Sequence, residues 1–201
     1  LKTLCRNVDK ILIDAWNETG LSSEHVLIAV GGYGRVELYP YSDIDVLILL
    51  NRNPDSDLQQ KLESLIQTFW SLGLTIGHSV RTIDECLEES AHDITIQTSL
   101  LEARYITGSR RLFRQMKERY DAQMNAQAFF IAKMLETRQR HVKMGDTPYS
   151  LEPNCKESPG GLRDLQVILW AAKAAKLGNS WNELAQRGLI TASEAQQLRK
   201  K

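Results

Sequence analysis

The chain has 201 residues, of which 42% are hydrophobic and 25% are charged, so it is long and apolar enough for one or two folded domains. No apolar run approaches the roughly 18 residues of a membrane-spanning helix, and we expect no membrane association. The formal net charge is zero, yet residues 1–100 contain 7 basic and 15 acidic side chains while residues 101–201 contain 18 and 10. Two interpretations of the basic half are equally good: its basic residues lie on solvated helix faces, or they form a surface that binds phosphates or an acidic partner. Because few aromatic residues lie among the basic ones, we expect no nucleic-acid partner.

The three cysteines, Cys5, Cys86 and Cys155, are spaced neither like metal ligands nor like a disulfide framework. Their spacing therefore indicates a reducing, cytoplasmic location. The chain begins at Leu1 and not at a methionine, and its first residues lack the features of a secretory signal. We expect it to be part of a longer protein.

Hydrophobic periodicity predicts a mixed α/β domain, of the α+β kind, over residues 1–110. The expected elements are, in chain order, an amphipathic helix before Gly20, buried strands at 26–30 and 44–50, a helix at 58–72, a strand at 74–82, a short helix capped by Thr82, and a strand at 98–107 that stops at Gly108.

Strand signals vanish after Ser109, and residues 111–201 are predicted to form a helical, basic region. The expected elements are two helices between 112 and 144, a break at 145–148, a loop at 152–161, a helix whose N-cap is Asp164, and short helices near 180–188 and 191–200. The chain is thus expected to be a mixed α/β domain followed by helices.

Two glycines and two aspartates form the most informative pattern. Gly31 and Gly32 end the first predicted strand, where the backbone N–H groups of a helical turn would face phosphate oxygens. Asp43 and Asp45 are two residues apart on the next strand, so alternation places both carboxylates on one face of a rigid element. Paired carboxylates beside a phosphate site suit Mg²⁺, which shares its oxygen ligands with substrate phosphates. The pattern predicts nucleotidyl transfer with Asp43 and Asp45 as catalytic and metal-binding residues.

A purely structural interpretation of this pattern is the alternative. In that case the glycine pair is a plain turn and Asp43 caps the strand. Asp45 would then be a charge within an otherwise apolar strand, which is costly unless the charge is paired or bound to a metal. We therefore favour the functional interpretation.

Gly31-Gly32 followed by Asp43-Ile44-Asp45 resembles the signature of the DNA polymerase β nucleotidyltransferase superfamily. Within that superfamily, residues 31–49 (GGYGRVELYPYSDIDVLIL) are similar to the bacterial PII uridylyltransferase/uridylyl-removing enzymes. Two further blocks, at 77–82 and 151–164, resemble the same family in the same order.

The resemblance implies a polymerase β-type fold, in which a small mixed sheet is flanked by helices and the helical region completes the active-site cleft. It also implies transfer of UMP from UTP to a tyrosine of the PII signalling protein, with Mg²⁺ and release of pyrophosphate. Full-length members add a phosphohydrolase (HD) domain and two ACT domains. We expect neither in this chain, so small-molecule effectors should be sensed by domains that are missing here. AMP transfer by an enzyme of the same superfamily, and a catalytically silent nucleotide-binding module, are the open alternatives.

The third carboxylate that superfamily enzymes usually add from a neighbouring strand has no obvious source. The predicted strand at 74–82 has His78 and Ser79 where an acid is expected. Asp93 and Glu102 remain, and Glu102, expected on a strand, is assigned as the third catalytic residue, a base for the tyrosine hydroxyl. A surface glutamate paired with Arg104 is an equally good interpretation of Glu102.

Four further residues are candidates for nucleotide binding. Arg35 follows the glycine turn and Ser42 precedes the acidic pair, although an ion pair from Arg35 to Glu37 and a turn role for Ser42 are the structural alternatives. Lys156 and Arg163 bracket a glycine-containing loop that can place two cations beside a triphosphate. That last assignment depends mainly on the resemblance.

Overall fold

The structure is a computed structural model of the chain and describes residues 1–147 and 154–199. It divides into two compact units, Leu1–Gln123 and Met124–Lys201. The first unit contains α1 (Lys2–Glu18), β1 (Val26–Ala29), α2 (Gly31–Gly34), β2 (Ile44–Leu50), α3 (Ser56–Ser71), β3 (Ile76–Thr82), α4 (Ile83–His92), α5 (Ile94–Leu101), β4 (Arg104–Gly108) and α6 (Arg110–Gln123). The second contains α7 (Ala126–Lys143), α8 (Leu162–Ala174), α9 (Trp181–Gln186) and α10 (Ala192–Arg199).

The four strands of the first unit form one mixed sheet in the order β3-β2-β1-β4. β1 is antiparallel to both of its neighbours, whereas β2 and β3 run parallel. The chain connects β2 to β3 through the helix α3, because parallel strands cannot be joined by a tight turn. The α+β class with a small mixed sheet, expected from the sequence, is confirmed.

The core of the first unit lies between the sheet and the two helices α1 and α3. All four residues of β1 are buried, and so are all residues of β2 except Asp45. Trp16 of α1 and Phe69 of α3 pack with Val46 and Ile48 of β2 in this core. Burying side chains of this size is the main stabilising contribution, at roughly 1.5–3 kcal/mol for each large apolar side chain.

Most of the elements expected from the sequence are confirmed within a few residues. The helix capped by Thr82 is α4. The Thr82 hydroxyl accepts a hydrogen bond from the Glu85 backbone N–H, and the Glu85 carboxylate accepts one from the Thr82 backbone N–H, in a capping box. The two helices expected at 112–144 are α6 and α7. α6 belongs to the first compact unit, which therefore extends thirteen residues beyond Arg110.

Two expectations are wrong. Residues 98–107 are not one strand, because α5 continues to Leu101 and β4 begins only at Arg104. Asp93 is the N-cap of α5 and accepts hydrogen bonds from the N–H groups of Thr95 and Ile96. An N-cap of this kind favours a helix over a strand in the apolar run that follows.

Asp164 is also not an N-cap. Gly161 occupies that position in extended conformation, and Asp164 lies in the first turn of α8, where its negative charge suits the helix dipole. Pro148, in the expected break, and residues 151–153, at the start of the third sequence block, lie outside the described residues. No helix within residues 1–147 and 154–199 is long and apolar enough to cross a membrane.

Candidate active site

The glycine turn directly follows β1 as the helical turn α2. Gly31 has a φ of 58°, a left-handed conformation that favours glycine, and no side chain caps the turn. The N–H of Val30, just before the turn, donates to the backbone carbonyl of Asp45 over 3.0 Å. The turn is therefore attached to β2 at the position of the second aspartate.

The exposure of Asp43 and Asp45 follows the alternation expected from the sequence. Both are exposed, whereas Ile44 and Val46 are 3% and 1% exposed and belong to the core. Asp43 lies one residue before β2, and Asp45 lies within it. A buried residue on each side of Asp45 fixes the strand register and therefore the direction of its carboxylate.

The Asp45 carboxylate lies against two glycines. A Cβ atom on Gly31 would be 3.3 Å from Asp45 Oδ2, and a Cβ atom on Gly77 would be only 2.7 Å from Oδ1. Gly77 is the residue of β3 that pairs with Asp45 in the parallel ladder. The sequence could not reveal this contact, since it depends on which strand pairs with β2.

A partly buried polar network supports the turn. Tyr33 is fully buried and its hydroxyl donates to Asp9 of α1. Arg104 of β4 donates to both oxygens of Asp9 over 2.9 Å, and its guanidinium carbon is 5.0 Å from the centre of the Tyr33 ring. Burial, and secondly the Asp9 carboxylate, raise the pKa of Tyr33. The sequence did not indicate this network, and the pairing of Arg104 with Glu102 that was considered as an alternative is wrong, because Arg104 pairs with Asp9.

Gly34 closes the turn against the segment between α5 and β4. A Cβ atom here would collide with the backbone carbonyl oxygen of Glu102 and lie 3.0 Å from that of Ala29. These are backbone atoms, which cannot rotate away as a side chain can. Gly34 is therefore packed closely against the backbone of Glu102 and of Ala29.

Glu102 does not lie on a strand, which corrects the expectation. It is the C-cap residue of α5 and is 7% exposed, and its charge contributes to the raised pKa of the buried Tyr120, after burial and Asp121. Asp93 serves as the N-cap of the same helix. In the described part of the chain, no three His, Cys, Asp or Glu side chains form a group that could hold a metal ion. Asp93 and Glu102 thus lie at the two ends of α5, whereas Asp43 and Asp45 lie around the start of β2.

Arg35 and Ser42 lie in the segment that joins the turn to β2. Arg35 Nε donates to Glu37 over 2.9 Å, and the Arg35 side chain is 15% exposed. Ser42 Oγ accepts a hydrogen bond from the Tyr39 N–H over 3.3 Å, while the Ser42 N–H donates to the Tyr39 carbonyl. Both structural alternatives considered for these residues are therefore present, and Arg35 remains close to the glycines: its Nη2 would be 3.8 Å from a Cβ atom on Gly32.

In the second unit, Lys156 and Arg163 belong to a well-bonded loop that precedes α8. Asn154 Oδ1 accepts hydrogen bonds from the N–H groups of Lys156 and Glu157, each over 3.0 Å. Arg163 Nη2 donates to the Glu157 carboxylate over 3.0 Å, and Arg163 packs over the Trp170 ring. Lys156 is exposed, so its charge faces solvent, whereas the Arg163 guanidinium is paired with Glu157 within the loop.

The Asp164 carboxylate contacts both the loop before α8 and the helix α7. Its carboxylate accepts a hydrogen bond from the Gly160 N–H over 2.7 Å, contacts His141 Nε2 at 3.0 Å and pairs with Arg140. Partial burial acts to raise the Asp164 pKa, but the Gly160 hydrogen bond and His141 lower it overall. The loop that carries Lys156 is therefore anchored by charge-assisted contacts.

Two family models match the chain. One, described as "Nucleotidyltransferase domain", matches residues 10–101, and the other, described as "GlnD PII-uridylyltransferase", matches residues 128–201. Curated proteins named "Bifunctional uridylyltransferase/uridylyl-removing enzyme" are similar over nearly the whole chain. The protein from Cupriavidus pinatubonensis is 59% identical over 97% of this chain and 22% of its own length, and that from Cupriavidus metallidurans is 60% identical over 97% and 23%. The protein from Burkholderia mallei is 56% identical over 100% of this chain and 23% of its own length.

This chain matches the uridylyltransferase/uridylyl-removing enzymes along nearly its whole length, so the resemblance found in its sequence is confirmed. It spans between a fifth and a quarter of the length of these relatives. A solved structure described as "Crystal structure of the toxin-antitoxin with AMP-PNP" aligns with 69% of this chain and 96% of its own, at 11% identity and a TM-score of 0.39. That similarity is too low to support an inference about ligand or fold.

Proposed function

We propose that this chain carries a uridylyltransferase site, which transfers UMP from UTP to a tyrosine hydroxyl of the PII signalling protein and releases pyrophosphate. The single observation that carries the proposal is the exposure of two neighbouring carboxylates at the start of a buried strand: Asp45 lies within β2, beside the glycine turn, and Asp43 lies one residue before it. The names of the relatives and of the matched family support the choice of uridylyl group and of PII as acceptor. In this reaction the tyrosine oxygen attacks the α-phosphorus, and the bond from that phosphorus to the oxygen shared with the β-phosphate breaks.

The donor set at the site fits a magnesium ion. Mg²⁺ is usually held by one or two protein carboxylates together with substrate phosphates, so the two exposed carboxylates of Asp43 and Asp45 suffice without a third protein ligand. When bound, the ion would offset negative charge on the reacting phosphates and on the departing pyrophosphate. The backbone of Asp45 is fixed within the buried strand β2, which reduces the reorganisation needed for binding.

The remaining candidates have roles in nucleotide binding. Gly31 and Gly32 allow the triphosphate to approach the backbone closely, because neither has a side chain above the turn. Arg35 can exchange its Glu37 partner for a phosphate oxygen, and the Ser42 hydroxyl can donate to one. We assign Lys156 as a phosphate-binding cation and Arg163 as a second, held near it by Glu157.

A label-transfer assay tests the proposal. Chain, Mg²⁺, UTP labelled at the α-phosphate and a PII protein are mixed, and the double variant Asp43→Asn/Asp45→Asn is assayed in parallel. We expect label on PII with the wild-type chain alone, and circular dichroism should show that the variant keeps its fold. Unlabelled UTP should compete more strongly than unlabelled ATP.

Three other outcomes would redirect the assignment. Stronger competition by ATP would favour an adenylyltransferase. UTP binding by the wild-type chain, without transfer of label, would favour a silent nucleotide-binding module. Absence of UTP binding would contradict a nucleotide site altogether.

A further inference from the structure

We infer that Gly77 is a positioning residue, which sets the orientation of the Asp45 carboxylate and thereby the affinity of the site for a divalent cation. The inference rests on the proposed function in one respect, namely that Asp45 is a metal ligand. Gly77 lies on β3, and its Cα is paired with that of Asp45 in the parallel ladder between β2 and β3.

The geometry leaves no room for a side chain at position 77. An alanine Cβ there would be 2.7 Å from Asp45 Oδ1, inside the 3.0 Å limit that Cβ contacts respect. The obstacle is a carboxylate oxygen rather than backbone, so the collision is relieved by turning the Asp45 side chain. The strand itself can stay in place.

The carboxylate also lies close to a second glycine. Asp45 Oδ2 is 3.3 Å from the position that a Cβ atom of Gly31 would occupy. The carboxylate therefore lies near two Cα atoms that lack side chains, one on β3 and one in the turn α2. A side chain at position 77 would push it away from its present orientation.

A displaced carboxylate is expected to bind a cation less tightly while the fold is preserved. Mg²⁺ demands near-ideal octahedral geometry, so a ligand that points elsewhere is lost to it. Residues that orient metal ligands typically change metal affinity by about 10- to 100-fold when they are replaced. Gly77 has no φ in the left-handed region, so alanine is compatible with its backbone and any effect comes from the side chain alone.

The test is a titration with Mn²⁺, followed by the loss of the free-ion electron paramagnetic resonance signal, on four proteins: wild type, Gly77→Ala, Asp45→Asn and His78→Ala. His78 is the matched control, because it is the next residue on β3 and its side chain packs near Trp70. We expect Gly77→Ala to weaken Mn²⁺ binding by about 10- to 100-fold, Asp45→Asn at least as strongly, and His78→Ala not at all.

The outcomes separate the inference from the proposed function. If Asp45→Asn binds Mn²⁺ like wild type, the proposed metal role of Asp45 is refuted and the inference falls with it. If Asp45→Asn weakens binding but Gly77→Ala does not, only the inference is overturned. If Gly77→Ala lowers the melting temperature, adding Asp45→Ala removes the colliding carboxylate and should restore it. Failure of that restoration would show that Gly77 acts through something other than Asp45, which also overturns the inference.

Discussion

Replacing Gly34 by alanine tests how tightly the glycine turn is packed against the sheet. The new methyl group would collide with the Glu102 carbonyl oxygen and lie 3.0 Å from that of Ala29. Both obstacles are backbone atoms, so α2 or the segment between α5 and β4 must shift by on the order of 1 Å. Overpacking of this kind costs about 3 kcal/mol of unfolding free energy. For a chain of this size the corresponding drop in melting temperature is about 6–12 °C.

Gly32→Ala is the matched control for this prediction. Neither glycine has a left-handed φ, so alanine suits both backbones and gains the same helix propensity at each. At position 32 the nearest atom to the new methyl group would be the Glu37 carbonyl oxygen at 3.6 Å, an ordinary contact. Urea unfolding of the two variants measures the difference. A Gly34→Ala variant as stable as Gly32→Ala would refute the packing described for the turn.

Three further predictions concern other parts of the structure. Tyr33→Phe removes the hydroxyl that donates to Asp9 and should lower the unfolding free energy by about 1.5–3 kcal/mol, as measured by urea unfolding. An unchanged urea midpoint would contradict a stabilising role of the hydrogen bond to Asp9. Burial lowers the pKa of His25, so the stability that depends on its neutral form is lost as the pH falls below the ordinary value of about 6.5. In His25→Ala, the unfolding free energy should therefore change less with pH between about pH 5 and 7. An unchanged slope in this range would count against the prediction. Asp164→Ala should cost the second unit about 2 kcal/mol and speed amide hydrogen exchange at 154–161, and unaltered exchange there would argue against the anchoring role of Asp164.

Strong periodicity made most of the first unit predictable. The β-branched and apolar run at Val46–Leu50, bounded by polar residues, predicted a buried strand, and the alternation just before it predicted the pair Asp43 and Asp45. The failure came at Ile94–Leu101, because a short apolar run does not distinguish a buried helix from a buried strand. Asp93, an N-cap residue just before that run, was the overlooked signal.

The surroundings of the carboxylates were less accessible to sequence reasoning. Alternation places two side chains on one face but does not tell which strand lies beside them. The parallel pairing that brings Gly77 to Asp45, and the contact of Asp9 with Arg104 across 95 positions, depend on the tertiary structure. The N-cap role expected for Asp164 was wrong for a related reason, since Gly160, His141 and Arg140 engage that carboxylate instead.

The central claim is that Asp43 and Asp45 alone supply the catalytic carboxylates of the first unit. Rates of label transfer from α-labelled UTP to PII, measured for Asp43→Asn, Asp45→Asn and Glu102→Gln, test it most directly. We predict that each aspartate variant loses at least about 100-fold in rate, more than replacement of an orienting residue costs, while Glu102→Gln transfers label like wild type. Loss of transfer in Glu102→Gln, with its fold intact, or full activity in either aspartate variant, would contradict the claim.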